Sequence, residues 1–513
     1  MIWLKRAARL ASVALVLAAQ VPSRGAANDA GAPLPSLAEI RARLVATAVM
    51  PSSYRLTKTI LSSDGSATTV QVVHRGDDER TTRDVGPLRV ESGVYHGTHW
   101  IEDQNGQIVR VRTDAVDEAR SDQATFTTVR DPDGDGHHLV ISTVTAHKVG
   151  RRETVDTATW RVERVETFSV DGTIVRTEDD VRASDGVSFP HHIHTVDPIE
   201  KSTSDERVTA FTAGPVTDEE VAPPPSGPPV VHFPPGRNVV RIPFRYVEGE
   251  LIVRVTVAGR GLDFALDTGA GAIAIDETPA AQLGLPDLHA PTSWRPRTER
   301  VRVPQLDVGD LSLRNVVVMS GPLGMHIEKR TRVAGLLGFD FLDELGVTVD
   351  YNRQELIVVP AADYVPPNDA ATRVLPVRLG SYLPLIDASF NGVNGSRFVL
   401  DTGCAFPFMI FNNFAYNHSA AMYGTEALAQ DEVTVGYAGR ADEHSMYAHA
   451  IGVAGLIAPG VDGIRDDGTQ GFVHPLDGLI GDPLWSAFTL GLDWQHGNVY
   501  LTPAHRGVFE SAP

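Results

Sequence analysis

Phe264-Ala265-Leu266-Asp267-Thr268-Gly269 and Phe398-Val399-Leu400-Asp401-Thr402-Gly403 are two copies of one hexapeptide in a single chain of 513 residues. Each reads as a short apolar strand that ends on a carboxylate and turns sharply at Thr-Gly. One Asp-Thr-Gly would mean little, since average composition gives a chance occurrence in about one chain in ten of this length. The surroundings repeat as well. Gly335-Leu336-Leu337-Gly338 matches Gly478-Leu479-Ile480-Gly481. From each second Gly the chain runs the same distance to an Asp-aromatic pair, Asp350-Tyr351 and Asp493-Trp494. Each pair leads through a turn into a last strand, Glu355 to Val358 and Asn498 to Leu501, and each copy opens on a hairpin, from Ile242-Pro243 and Leu375-Pro376. Two β-rich units therefore follow one another, and a repeat of this kind sets the fold before any other feature.

The two copies resemble the lobes of retropepsin-like aspartic peptidases, and their fusion is similar to the two-lobed pepsin plan. The resemblance covers roughly residues 240 to 505. It implies a mainly β fold: two tandem retropepsin-like lobes forming a pseudo-twofold unit. It further implies that Asp267 and Asp401 are the catalytic pair and that Thr268 and Thr402 bond across the pseudo-axis. Gly269 and Gly403 would let backbone N–H groups approach the carboxylates. Two carboxylates within hydrogen-bonding reach cannot both ionise cheaply, so they share a proton and activate a water between them. That chemistry needs no cofactor and no metal, and its substrate is polypeptide. Many members carry Ser or Thr directly after Asp-Thr-Gly, whereas this chain has Ala270 and Cys404. Ala donates nothing and a thiol donates only weakly, so the pair is expected to titrate high and to work at mildly acidic or near-neutral pH. A non-catalytic envelope protein that binds peptide or lipid on a retained peptidase-like fold is the competing reading.

Outward from the repeats, Ala222 to Pro235 is dense in proline, which suppresses helix and central strand and marks a semi-rigid spacer. Before it, from Tyr54 to about Phe211, short alternating runs separated by turn residues such as Ser63-Asp64-Gly65 predict a sheet-rich domain. A helix leads it over Leu37 to Met50, with Ser36 and Glu39 spaced as a capping box. This plan looks faintly like the half-barrel carriers of lipoproteins and lipids. It could bind an apolar ligand, present substrates, or serve as a removable pro-segment. The expected division is a signal peptide at 1–27, a β-rich domain at 34–220, a Pro-rich linker at 221–238, and peptidase lobes at 239–365 and 366–508.

Lys5, Arg6 and Arg9 precede the apolar run Leu10 to Ala19, with small Gly25 and Ala27 beyond. This is the pattern of a cleaved export signal, so a periplasmic or secreted location is expected, with no membrane span after signal removal. The single cysteine, Cys404, has no internal disulfide partner, which suits a bacterial periplasmic chain. A net charge of −20 argues against a nucleic-acid partner, and the 42% apolar content is ample for packed cores. Oligomeric state is not legible.

Other candidates read as ordinary structure. Asp131-Pro132-Asp133-Gly134-Asp135-Gly136 begins like a calcium loop, but its closing acidic position is Ser142, so a polar hairpin turn is preferred. His191, His192 and His194 alternate as on a solvated strand face. Cys404 lacks the His partner of a thiol nucleophile. Substrate-covering flaps are expected near 290–303 and 432–444. Trp294 and Tyr437 lie within them, as flap contacts or, preferably, as packing on their own lobes.

Overall fold

The computed structural model describes residues 34–47, 50–111, 125–130, 137–144, 150–168, 172–199, 201–289, 298–324, 326–327, 331–380, 382–436, 439–466, 476–504 and 509–511. The expected export signal, the 131–136 loop, Trp294 and Tyr437 lie outside them. The fold is mainly β. The described residues divide into two compact units between Ala42 and Arg43. The leading helix Leu37–Thr47 starts at the predicted box: the Ser36 amide and hydroxyl both donate to Glu39 at 2.7 and 2.8 Å.

Within residues 43–513 a thirteen-stranded antiparallel sheet comes first. Consecutive strands pair as in a meander, except that Ile108–Val111 and Thr125–Arg130 form its two opposite edges, and the first, Ser53–Ser62, pairs with the last, Ser202–Ala213. Two-residue turns such as His96-Gly97, both at positive φ, suit the right-handed twist of the strands they join. The Pro-rich stretch that follows is anchored rather than free. Its Gly227 amide donates to the Gly106 carbonyl at 2.8 Å, and its Val230 and Val231 amides donate to the Glu344 carboxylate at 2.9 and 3.0 Å.

The two repeats fold alike because their sequences alternate alike. In Val240–Val247 the residues Val240, Ile242 and Phe244 face inward while Arg241, Pro243 and Arg245 face out. The Asp-bearing strands differ in being covered on both faces, which is why they are continuous apolar runs. Phe264, Ala265 and Leu266 are fully buried, as are Val399 and Leu400. Each runs parallel to its own Gly-apolar-apolar strand: Phe264 pairs with Gly335, and Phe398 with Gly478. A Cβ on Gly335 would lie 2.2 Å from the Phe264 ring, so glycine is what lets these strands meet. The repeats then join edge to edge, Leu345–Asp350 pairing with Phe488–Asp493. The apolar core runs continuously across this seam.

Candidate active site

Both buried strands end at the same place. The Thr268 hydroxyl donates to the Leu400 carbonyl at 2.6 Å and accepts from the Thr402 amide at 3.0 Å. The Thr402 hydroxyl donates to the Leu266 carbonyl at 2.8 Å and accepts from the Thr268 amide at 3.1 Å. Four reciprocal bonds thus lock the two loops, and both threonines are buried. Their burial makes the lock matter, because an unpaired polar group there would be costly.

The glycines set how closely the loops approach. The Gly269 amide donates to Asp267 Oδ1 and the Gly403 amide to Asp401 Oδ1, each at 2.8 Å. Across the pseudo-axis, a Cβ on Gly269 would fall 2.5 Å from the Asp401 carboxyl carbon, and one on Gly403 would fall 2.3 Å from that of Asp267. Each glycine therefore faces the opposite carboxyl with no room for a methyl group. Asp267 and Asp401 lie within hydrogen-bonding reach of each other. Burial pushes the Asp267 carboxyl up, opposed by its bonds to Asp401 and to the Gly269 and Ala270 amides. Burial, then the charges of Asp267 and Glu250, push Asp401 well above the usual carboxylate range. With each carboxyl acting on the other, the pair titrates as one unit.

The structure thus brings together all six residues singled out in the sequence. The two following positions are also resolved. Ala270 accepts the Phe339 amide through its carbonyl at 2.8 Å, and the Cys404 thiol donates to the Phe406 carbonyl at 3.5 Å. His191, His192 and His194 lie on the N-terminal sheet, but His191 is buried and not on a solvated face as expected, because it points to the opposite face of the strand from His192. His192 bridges Asp179 and Asp205 at 2.7 and 2.9 Å, and His191 bonds Ser184 and the Phe189 carbonyl. Among the described residues no cluster of His, Cys, Asp or Glu could hold a metal ion, and no helix is long and apolar enough to cross a membrane.

Two groups beside the pair were not anticipated. Glu250 follows the tight turn Glu248-Gly249, which abuts Ala405 of the second loop, where a Cβ on Gly249 would sit 2.7 Å from the Ala405 carbonyl oxygen. Ile252 pairs with Ala265, so the same register carried two residues further sets Glu250 beside Asp267. Burial, then the charges of Asp267 and Glu248, push Glu250 up to about 7, and its Oε2 has no hydrogen-bond partner among the described residues. In the second repeat Leu385 pairs with Val399, which sets Leu383 beside Asp401. The pseudo-twofold relation therefore breaks at one position, an acid on one side and a leucine on the other. Asp482, fully buried, accepts from the Tyr351 hydroxyl and is pushed well above the usual range by burial, with the charges of Asp401 and Glu250 adding to it. A register count from the turn Ala258-Gly259 finds Glu250 in the sequence alone; nothing local marks Asp482.

An aspartyl protease family model matches residues 253–341, the segment holding Asp267 and Gly335-Leu336-Leu337-Gly338. No curated protein matches the chain. Among solved structures, a retropepsin-like aspartic protease from Rickettsia conorii is 22% identical, with 23% of this chain and 88% of that one covered, at a TM-score of 0.18. A LolA superfamily protein from Nitrosomonas europaea is 12% identical over 37% of this chain and 98% of that one, at a TM-score of 0.31. Basic 7S globulin from soybean is 9% identical over 53% and 98%, at 0.35. Likenesses at such scores say nothing of function.

Proposed function

We propose that the chain is an aspartic endopeptidase whose catalytic pair, Asp267 and Asp401, is built within one polypeptide. The observation that carries this reading is the reciprocal lock of Thr268 and Thr402, with each neighbouring glycine closed against the opposite carboxyl. The aspartyl protease match over 253–341 supports the same chemistry for the first repeat.

Burial and mutual repulsion keep one proton on the pair. The charged carboxylate draws a proton from a water held between the two, and the water oxygen attacks the peptide carbonyl carbon. The protonated carboxyl donates to the carbonyl oxygen, giving a tetrahedral diol without a covalent enzyme intermediate. Proton return to the amide nitrogen then releases the two products. The glycine amides steady the carboxyl oxygens, and the threonine lock keeps the two groups at a fixed separation. Because the pair and Glu250 are all raised, the active one-proton form persists to higher pH than in an unperturbed pair, and the optimum lies at mildly acidic to near-neutral pH.

The remaining parts take their places in this reading. Residues 1–27 direct export to the periplasm or exterior, 34–220 form a β-rich module, 221–238 a connecting strap, and 239–365 and 366–508 the two lobes. The test is cleavage of a denatured protein mixture by the purified chain. Wild type should cut, Asp267→Asn and Asp401→Asn should each be silent, and a statine-type peptide should block the wild type. A silent wild type that still binds peptides equally well in both Asn variants would favour the non-catalytic binding protein.

A further inference from the structure

The hairpin of Thr98–Glu102 and Ile108–Val111 in the N-terminal sheet has a tip at 103–107 that is closed by its own hydrogen bonds. Asp103 Oδ1 accepts the Asn105 and Gln107 amides, both at 2.8 Å, and the Asp103 amide donates to the Gln107 carbonyl at 2.9 Å. Gly106 takes φ +85°, so the turn closes without strain. On one side the strap holds this tip: the Ile108 amide donates to Ser226 Oγ at 3.0 Å, and Gln107 Nε2 donates to the Pro228 carbonyl at 2.8 Å.

On the other side the tip reaches both repeats. The Asn105 side chain acts as a strand partner for Val317, accepting its amide at 2.7 Å and donating to its carbonyl at 3.2 Å. Gln104 Nε2 donates to Asp340 Oδ2 at 3.1 Å. The other oxygen of Asp340 accepts the Ile273 amide at 2.5 Å, in the segment that leaves the first Asp-Thr-Gly. Two residues earlier, a Cβ on Gly271 would be 3.3 Å from Tyr382 Cβ, and the Tyr382 hydroxyl of the second repeat donates to the Glu102 carbonyl at 3.1 Å. The segment 270–273 is therefore gripped from two directions by groups that the hairpin itself holds.

We infer that this hairpin is a working part of the catalytic unit, a clamp on the loop that carries Asp267, with Gln104 and Asn105 as positioning residues. The inference rests on the peptidase reading for what the loop does. It makes the N-terminal sheet integral and not a pro-segment to be shed. Three acids meet at this contact, and burial pushes Asp103 up to about 6 and Asp340 up to about 8, with Asp343 also raised. Glu102 and Glu344 face the same cluster. Asp340 has hydrogen-bond donors on both oxygens, so its position is fixed by the Gln104 and Ile273 bonds together.

The experiment compares full-length wild type with Gln104→Leu, Gln104→Met and Asn105→Ala, using amide hydrogen exchange over 267–275 and steady-state cleavage. Gln104→Met keeps side-chain length and serves if the Leu variant does not fold. Exchange at Ile273 and its neighbours should quicken by about tenfold. The kcat should drop by about tenfold, which corresponds to about 1.4 kcal/mol, while KM stays within about twofold. Arg152→Ala, which breaks the exposed Arg152–Glu166 pair of the same sheet, should change neither. Unchanged exchange over 267–275 in the Gln104 and Asn105 variants overturns the clamp, and so does unchanged kcat. If the wild type cleaves nothing, the peptidase reading fails by itself, and the exchange data still decide whether the hairpin holds the loop.

Discussion

Thr402→Val is the sharpest perturbation of the lock. Valine keeps the shape of threonine, so packing in this buried position is preserved. It removes the hydroxyl that donates to the Leu266 carbonyl at 2.8 Å and accepts from the Thr268 amide at 3.1 Å. Each buried group left without that partner costs about 1–3 kcal/mol, or about 2–6 kcal/mol for the two. If the loss appears as a separation of the carboxyls, the lower bound of about 2 kcal/mol lowers kcat/KM about thirtyfold. If it appears as lost stability, chemical denaturation of the full chain should show a midpoint shift of the same free energy. The two readings together should recover at least that lower bound. Thr268→Val, which removes the mirror bonds to the Leu400 carbonyl and the Thr402 amide, should behave the same way. Wild-type kcat/KM together with an unchanged denaturation midpoint in both variants would refute the reasoning.

Gly403→Ala places a methyl group within 2.3–2.6 Å of the Asp267 carboxyl, so kcat should fall about 10²-fold or more, read by initial-rate kinetics. Glu250→Gln removes a charge that raises Asp401, so the alkaline limb of the kcat/KM profile should move to lower pH. Asp340 is held up to about 8 against an ordinary 3.8, so the unfolded chain loses this proton first and stability falls as pH rises from about 4 to about 8. Asp340→Asn, with the Gln104 amide turned to accept, should therefore lose less stability between pH 5 and pH 8 than wild type, measured by urea denaturation.

The duplicated halves were legible because their chemistry is local. Phe-apolar-Leu-Asp-Thr-Gly announces a strand and a tight turn wherever it stands, and its recurrence fixed which loops would meet. The leading helix was legible for the same reason, since Ser36 and Glu39 bond as their spacing implied. Glu250 was legible only through a register count, because its neighbour Asp267 comes after the next turn. Gln104 and Asn105 carried no signal, since a Gln-Asn turn is ordinary and only the folded chain places it against Asp340 and Val317. The Pro-rich stretch was read as a spacer from its stiffness; what binds it are backbone amides and carbonyls, which composition does not reveal.

A crystal structure of the full chain with a statine-type peptide, whose secondary hydroxyl stands for the attacking water, bears most directly on the intramolecular pair. The hydroxyl should lie within about 2.5–3.2 Å of a carboxyl oxygen from both Asp267 and Asp401 of the same chain. A hydroxyl that meets only one of them, or one from each of two chains, would contradict the account.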